Sequence, residues 1–413
     1  MAERLLSGYR ALDLTDAKGN ICGKVLAAMG VETIKVEPPG GDPDRWRPPF
    51  FNDTADKRKS LYYAAFNTDK RSITLDLEKD QGQEIFKRLV AKADFVLESF
   101  PPGYLDGLEL GYEALSRINP RIIVTSITPF GQKGPYARYK GEELIATAMG
   151  GVLHSTGEAD KFPIREGPES NTYGTCMAAA AGTILAHYYR ESSGEGQQVD
   201  ISMQELVASR TSSNMLPWIF DQRLVQRSGN IRKIGANTTR WVFPCKNGYI
   251  FWYFGSGAPR AKTNNALAQW MKEDGIDSPL CQVEDWDAFN VAELTKEEVK
   301  EIDASLLAFF KLHTKQELSQ ISGPRDIEAC PVYNPAEVLA DEHMTARNYW
   351  TELDDPQVDA PLIVPRQFFL SSETENFVTK RAPLPGEDND DIYINELGLS
   401  FSDVNALKEK GVI

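Results

Sequence analysis

The stretch EGPESNTYGT, residues 166–175, sets Glu169 among small hydroxyls just ahead of an Ala-rich run, GTCMAAAAGTILAHYYRE, that reads as a buried helix from about residue 174. A carboxylate on such a bend can attack an acyl group, because it is ionised at neutral pH and its anhydride stays reactive. The hydroxyls beside it are weaker candidates, since a threonine or serine with no neighbouring base stays protonated. No Cys–His pair accompanies them. The four histidines, His154, His187, His313 and His343, are far apart, and none sits in HExxH or another zinc spacing. The sequence therefore predicts no metal site.

Two further stretches could meet an anion. VEPPGGDPDRWR (36–47) follows a strand with three prolines, two glycines and Arg45, and such a loop can bring a cation close to a phosphate. FNTDKRSITLDL (66–77) places Lys70 and Arg71 at the entrance of a strand. A dinucleotide fingerprint fits nowhere: FGSGAPR (254–260) and AKGNICG (17–23) each lack the full glycine spacing.

The elements that must carry these residues alternate through the first half. YRALDLT, TIKVEP, SITLDL, DFVLESF and RIIVTSIT read as buried strands, and NICGKVLAAMG as a small-residue helix ending at Gly30. GQEIFKRLVAKAD puts Ile85, Phe86, Leu89, Val90 and Ala93 on one helical face. The β-α-β rhythm predicts an α/β fold with a parallel sheet covered on both faces. From about residue 225 the chain turns aromatic and then charged, and short strands return near 335. The spacing predicts a large domain made of 1–224 and 335–413 and a second, small domain over 225–334. At the end, Ser402 is the expected cap of a last helix that Gly411 closes. Aromatics such as Trp218, Phe220, Trp252, Tyr253 and Phe254 read first as core, with a pocket for an aromatic acid as their other use.

Bulk composition narrows the class. The chain has 413 residues, 41% hydrophobic and 25% charged, with a formal net charge of −15. That charge argues against a nucleic-acid binder, which needs a basic face, but a local basic pocket remains compatible with it. Cys22, Cys176, Cys245, Cys281 and Cys330 are scattered and odd in number, as expected of reduced thiols in a cytoplasmic protein. No run approaches a membrane span, and the start carries no signal-peptide pattern.

Taken in order, ALDLT, LAAMGVETIKVEPPGGDPDR, FNTDKRSITLDL, ADFVLESFPPGYLDGLEL, NPRIIVTSITPFGQKGPY, GEGQQVDISMQE, CPVYNPAEVLADEHMTARNYW and APLPGEDNDDIYINELGL resemble the family III CoA-transferases along the whole chain. The resemblance implies a Rossmann-like large domain built from both chain ends, a small inserted α+β domain, and an interlocked, ring-like dimer. It implies transfer of CoA from an acyl-CoA such as succinyl-CoA to a carboxylic acid, an aromatic one such as benzylsuccinate included, with a CoA thioester as substrate and no prosthetic group. An aspartate attacks the thioester, and glycine-loop amides hold the oxyanion.

Two departures qualify what is carried over. Counted from either side of the bend, the family's aspartate falls on Thr172; only a local shift brings Glu169 into the role. The family's CoA contacts fall on Leu75, Ser99 and Phe100, on Lys140, and on positions where two of its arginines are here Pro38 and Gly107. Arg45, Lys70 and Arg71 are then the cations that would compensate. Glu143 matches the acid of the family's Tyr-Asp or Tyr-Glu pair. The proton-transferring racemases related to the family need a histidine near YKGEELIA (139–146), where this chain has none. The expectation is a chain without its own nucleophile that pairs with a homologous active subunit in a hetero-oligomer. The alternative is an active homodimer using Glu169. Neither nucleic acid nor membrane is expected as a partner.

Overall fold

The computed structural model describes residues 4–167, 169–356, 358, 360–375 and 377–413. They fall into two compact units. The larger comprises residues up to Leu153, Arg165–Leu224 and His343–Ile413; the smaller comprises His154–Ile164 and Val225–Glu342.

The larger unit is built on a six-stranded, fully parallel sheet. Its strands are β1 (Arg10–Leu14), β2 (Glu32–Glu37), β3 (Arg71–Thr74), β4 (Phe95–Glu98), β5 (Ile123–Thr128) and β6 (Gln198–Ser202), in the order β3-β2-β1-β4-β5-β6. Side chains alternate across the sheet, so each strand feeds two cores. Leu12, Ile34, Ile73, Val96 and Val124 pack on one face with Ile85, Phe86 and Leu89 of the helix Asp80–Val90 and with Ile392, Tyr393 and Val404 from the end of the chain. Ala11, Phe95, Leu97, Ile123 and Ile127 pack on the other with Ile21, Val25 and Leu26 of α1 (Asn20–Ala28) and with Cys176, Ala179 and Ala180. Those last three lie on the long helix Ser170–Ser193, whose small side chains let it approach α1 and β5 closely.

The strand runs predicted from sequence are present. The last helix spans Phe401–Glu409 and is capped by Ser400, whose hydroxyl accepts from Asp403 N–H, rather than by Ser402. The Ser400–Asp403 pair forms a reciprocal capping box, which Ser402, two residues further on and already inside the helix, cannot make. Gly411, in the left-handed region at φ +62°, ends the helix as expected.

The smaller unit packs the helices Ala258–Glu273, Lys296–Leu312 and Lys315–Ser322 with an antiparallel sheet of Val242–Cys245, Gly248–Trp252 and Ala329–Pro331. Phe243, Trp252, Phe254, Trp270, Phe309 and Phe310 form its core, so Trp252 and Phe254 take the core reading of the aromatic run. Among the described residues no helix is long and apolar enough to cross a membrane.

Candidate active site

In the larger unit, strand order reverses between β1 and β4: the chain steps from β1 through β2 to β3 on one side and continues through β4 and β5 on the other. Loops leaving the carboxyl ends of the strands diverge at such a point and open a crevice. The loop after β1 carries Asp16 and Lys18; the loop after β4 carries Ser99 and Phe100. Ser99 Oγ donates to Asp16 Oδ1 and accepts Asp16 N–H, each at 2.8 Å, which pins the two loops together. Beside them lies a cleft of about 530 Å³ lined by Lys18, Ser99, Phe100, Thr128, Arg138 and Lys140.

Three of the predicted site residues, Ser99, Phe100 and Lys140, thus meet in one cleft. Phe100 stacks on Tyr104 with ring centroids 4.6 Å apart, giving an apolar wall. Arg138 and Lys140 are exposed and form no ion pair among the described residues, whereas Lys18 is paired with Asp16. Two free cations and an aromatic wall suit an anionic ligand with an apolar part. Sequence reasoning missed Arg138, though FGQKGPYARYKG, with three cations in a glycine-punctuated loop, carries the signal.

The other predicted cations lie elsewhere. Arg45 is buried, donating to both Glu37 carboxylate oxygens at 2.6 and 2.7 Å and to Pro383 O, with its guanidinium 3.8 Å from the Tyr63 ring centroid. Lys70 is fully buried and gives its three protons to Asp13, Asn20 O and Asn67 at 2.7–2.8 Å. Arg71 faces four carboxylates, Glu32, Asp388, Asp391 and Glu396. None of the three has a free face for phosphate, so the compensating role expected of them does not fit; they hold the sheet to its loops. Leu75 is a core residue, with its N–H on Glu37 O.

Beneath the cleft, Glu98 ends β4. It is 5% exposed and accepts the Phe100 N–H at 2.8 Å. Burial pushes its carboxyl up to about 7, with Asp200 adding to the rise and Ser126 and Lys18 opposing it. The raised value favours the neutral form in the folded state, so this contribution to stability is present below about pH 4.5 and is lost as pH rises through about 7. Glu98→Gln keeps the shape without the charge. Above about pH 7 it should therefore be more stable than the parent by roughly 1–3 kcal/mol, the gap closing toward about pH 4. Urea midpoints across that range test this; a constant offset would contradict it.

The predicted nucleophilic bend opens the helix Ser170–Ser193. Glu169 is the residue before it, in the left-handed region at φ 63°. Its carboxylate makes no hydrogen bond to a described residue. Partial burial raises its pKa and the adjacent Glu143 adds to this, while Arg47 and Arg165 pull it down. Thr172 lies inside the first turn, 5% exposed, and no described side chain hydrogen-bonds its hydroxyl. Glu143 does the capping: its Oε1 accepts the N–H groups of Asn171 and Thr172 at 2.9 and 3.2 Å, and its Oε2 accepts from Arg165 at 2.6 Å. Arg210 grips Glu166 at 2.9 Å and also reaches Asn171. Glu143 follows Lys140 by three residues, so one continuous segment lines the cleft and then anchors the bend.

A family model described as "CoA-transferase family III" matches residues 6–389. The chain is 31% identical over 410 residues to "Succinyl-CoA:(R)-benzylsuccinate CoA-transferase subunit BbsE" of Thauera aromatica, covering 98% of both chains. It is 33% identical over 416 residues to "Succinyl-CoA--D-citramalate CoA-transferase" of Chloroflexus aurantiacus, covering 99% of this chain and 98% of the relative. Among solved structures, a CAIB/BAIF family protein from Brucella suis superimposes with a TM-score of 0.81 at 28% identity, over 95% of this chain and 99% of that one.

Proposed function

Because the chain belongs to CoA-transferase family III, we propose that it is the subunit without its own nucleophile in a hetero-oligomeric transferase. The reaction moves CoA from succinyl-CoA to an organic acid, with benzylsuccinate the first acceptor to test. A homologous chain supplies the attacking aspartate. The observation that carries this is Thr172: the position where the family's aspartate falls holds a neutral hydroxyl, on a largely buried residue, with no base on it among the described residues. The donor assignment draws on two relatives whose names specify succinyl-CoA, one of them also a named subunit.

A partner is further supported by apolar surface. The helix Ser212–Asp221 buries none of its residues and exposes Met215, Leu216, Trp218, Ile219 and Phe220. Leu185, Tyr188 and Tyr189 of the long helix are exposed as well. So much apolar side chain at the surface of one chain fits an extensive protein interface.

The cleft would take the CoA thioester, with Arg138 and Lys140 on its phosphates and Phe100 beside its apolar parts. Arg138→Ala and Lys140→Ala should each weaken CoA binding about five- to tenfold, with the effect shrinking as salt rises. Calorimetric titration of CoA into the assembled protein checks this, and unchanged affinity in both variants would move CoA to another site.

The second reading, an active homodimer with Glu169 as nucleophile, is favoured by one feature: that carboxylate stands at the bend with no hydrogen-bond partner among the described residues. The two readings part on a single assay. Steady turnover by the pure homodimer that is lost in Glu169→Gln supports the second; no turnover until the paralogue is added supports the first.

A further inference from the structure

The carboxyl ends of β4, β5 and β6 carry three polar residues in register. Glu98 lies opposite Ser126, and Ser126 opposite Asp200, so the three side chains share one face of the sheet. Ser126 is buried, and its hydroxyl donates to Glu98. Each acid of the row also holds a loop. Asp200 accepts the Gln132 N–H through both carboxylate oxygens, at 3.0 and 2.9 Å, near the start of the segment that brings Arg138 and Lys140 to the cleft. Glu98 accepts the Phe100 N–H at 2.8 Å, in the turn that brings Ser99 and Phe100 there.

Phe100 is thus fixed from three directions. Its ring stacks on Tyr104, Ser99 beside it is tied to Asp16, and its N–H is tied to Glu98. The tie to Glu98 is the one that works against stability. A carboxylate out of water is unfavourable unless a cation pairs with it. Glu98 forms no ion pair among the described residues, and Lys18, the cation near it, is held by Asp16. An uncharged side chain of similar size would fill the same space without that penalty. What the carboxylate adds is a strong acceptor aimed at one amide of the cleft wall.

We propose that Glu98 is a positioning residue for CoA: it sets the Phe100 backbone so that the ring lies along the apolar part of the bound thioester. This rests on the assignment of CoA to the cleft and adds to it the residue that shapes its wall.

The test is calorimetric titration of CoA into the assembled protein at mildly alkaline pH, with melting temperatures measured alongside. Glu98→Leu should weaken CoA binding about tenfold, the effect of losing a charged hydrogen bond, while the melting temperature does not fall. Glu98→Gln keeps an oxygen for the Phe100 N–H and should restore affinity to within about twofold of the parent. In a Phe100→Ala background, Glu98→Leu should change affinity by less than about twofold, because the group it acts through is gone. A merely structural glutamate would instead lower the melting temperature and add its full effect to that of Phe100→Ala. Weakened binding in Phe100→Ala with unchanged binding in Glu98→Leu would overturn the inference and leave CoA in the cleft. So would a glutamine variant as weak as the leucine one. Unchanged affinity in Phe100→Ala, Arg138→Ala and Lys140→Ala alike would take CoA out of the cleft, and this inference with it.

Discussion

Purified without a paralogue, the chain should, under the proposed function, transfer CoA from succinyl-CoA to benzylsuccinate at least roughly a thousandfold more slowly than when mixed with an aspartate-bearing homologue. The size follows from losing a nucleophile that no neighbour replaces. Thr172 offers a hydroxyl inside a helical turn, where the adjacent amides are committed to Glu143. Glu169 sits three residues upstream, in a backbone conformation of its own at φ 63°, and attack on a thioester tolerates little misplacement. Glu169→Gln should therefore leave the rate of the mixed enzyme within about twofold. A rate that instead falls with the disappearance of this carboxylate would transfer the chemistry to this chain.

Asp13→Ala should destabilise the larger unit by about 3–5 kcal/mol, enough to impair soluble expression. Asp13 is fully buried at the middle of the sheet, 2.7 Å from Lys70 Nζ and 3.9 Å from Lys35 Nζ. Burial opposes its ionisation, but the two lysines outweigh burial and hold the carboxylate below the usual range. Removing it strands Lys70, which has no other ion-pair partner among the described residues, and an uncompensated buried charge is far costlier than the intact pair is favourable. Lys35 keeps Asp42 at 2.9 Å and suffers less. Replacing both partners, Asp13→Leu with Lys70→Met, should recover most of the loss. Urea unfolding of the three proteins measures this, and a double variant as unstable as the single one would show that packing, not stranded charge, is the cause.

The fold was legible because the strands of a doubly covered parallel sheet are apolar on both faces. ALDL, TIKV, FVLE and IIVTSIT announce themselves without reference to partners. The alanine helix was equally plain, since small residues mark close packing, although it begins at Ser170, four residues earlier than its composition alone indicates. The cations were less legible. Arg45, Lys70 and Arg71 look free in sequence because their partners, Glu37, Asp13 and the carboxylates at 388–396, are up to 325 residues away. Lys140 and Arg138 form no ion pair among the described residues for the opposite reason: their loop is exposed along the rim of the crevice. Glu143 could be matched to a family position, but not to the helix end it caps, which lies 28 and 29 residues further on.

The most direct test of the central claim is mass spectrometry of the assembled enzyme after brief incubation with succinyl-CoA and trapping of the covalent acyl or CoA adduct. The account predicts that the adduct sits on the aspartate of the homologous chain and that peptides spanning residues 166–190 of this chain are unmodified. A CoA thioester or trapped ester on Glu169 would contradict it.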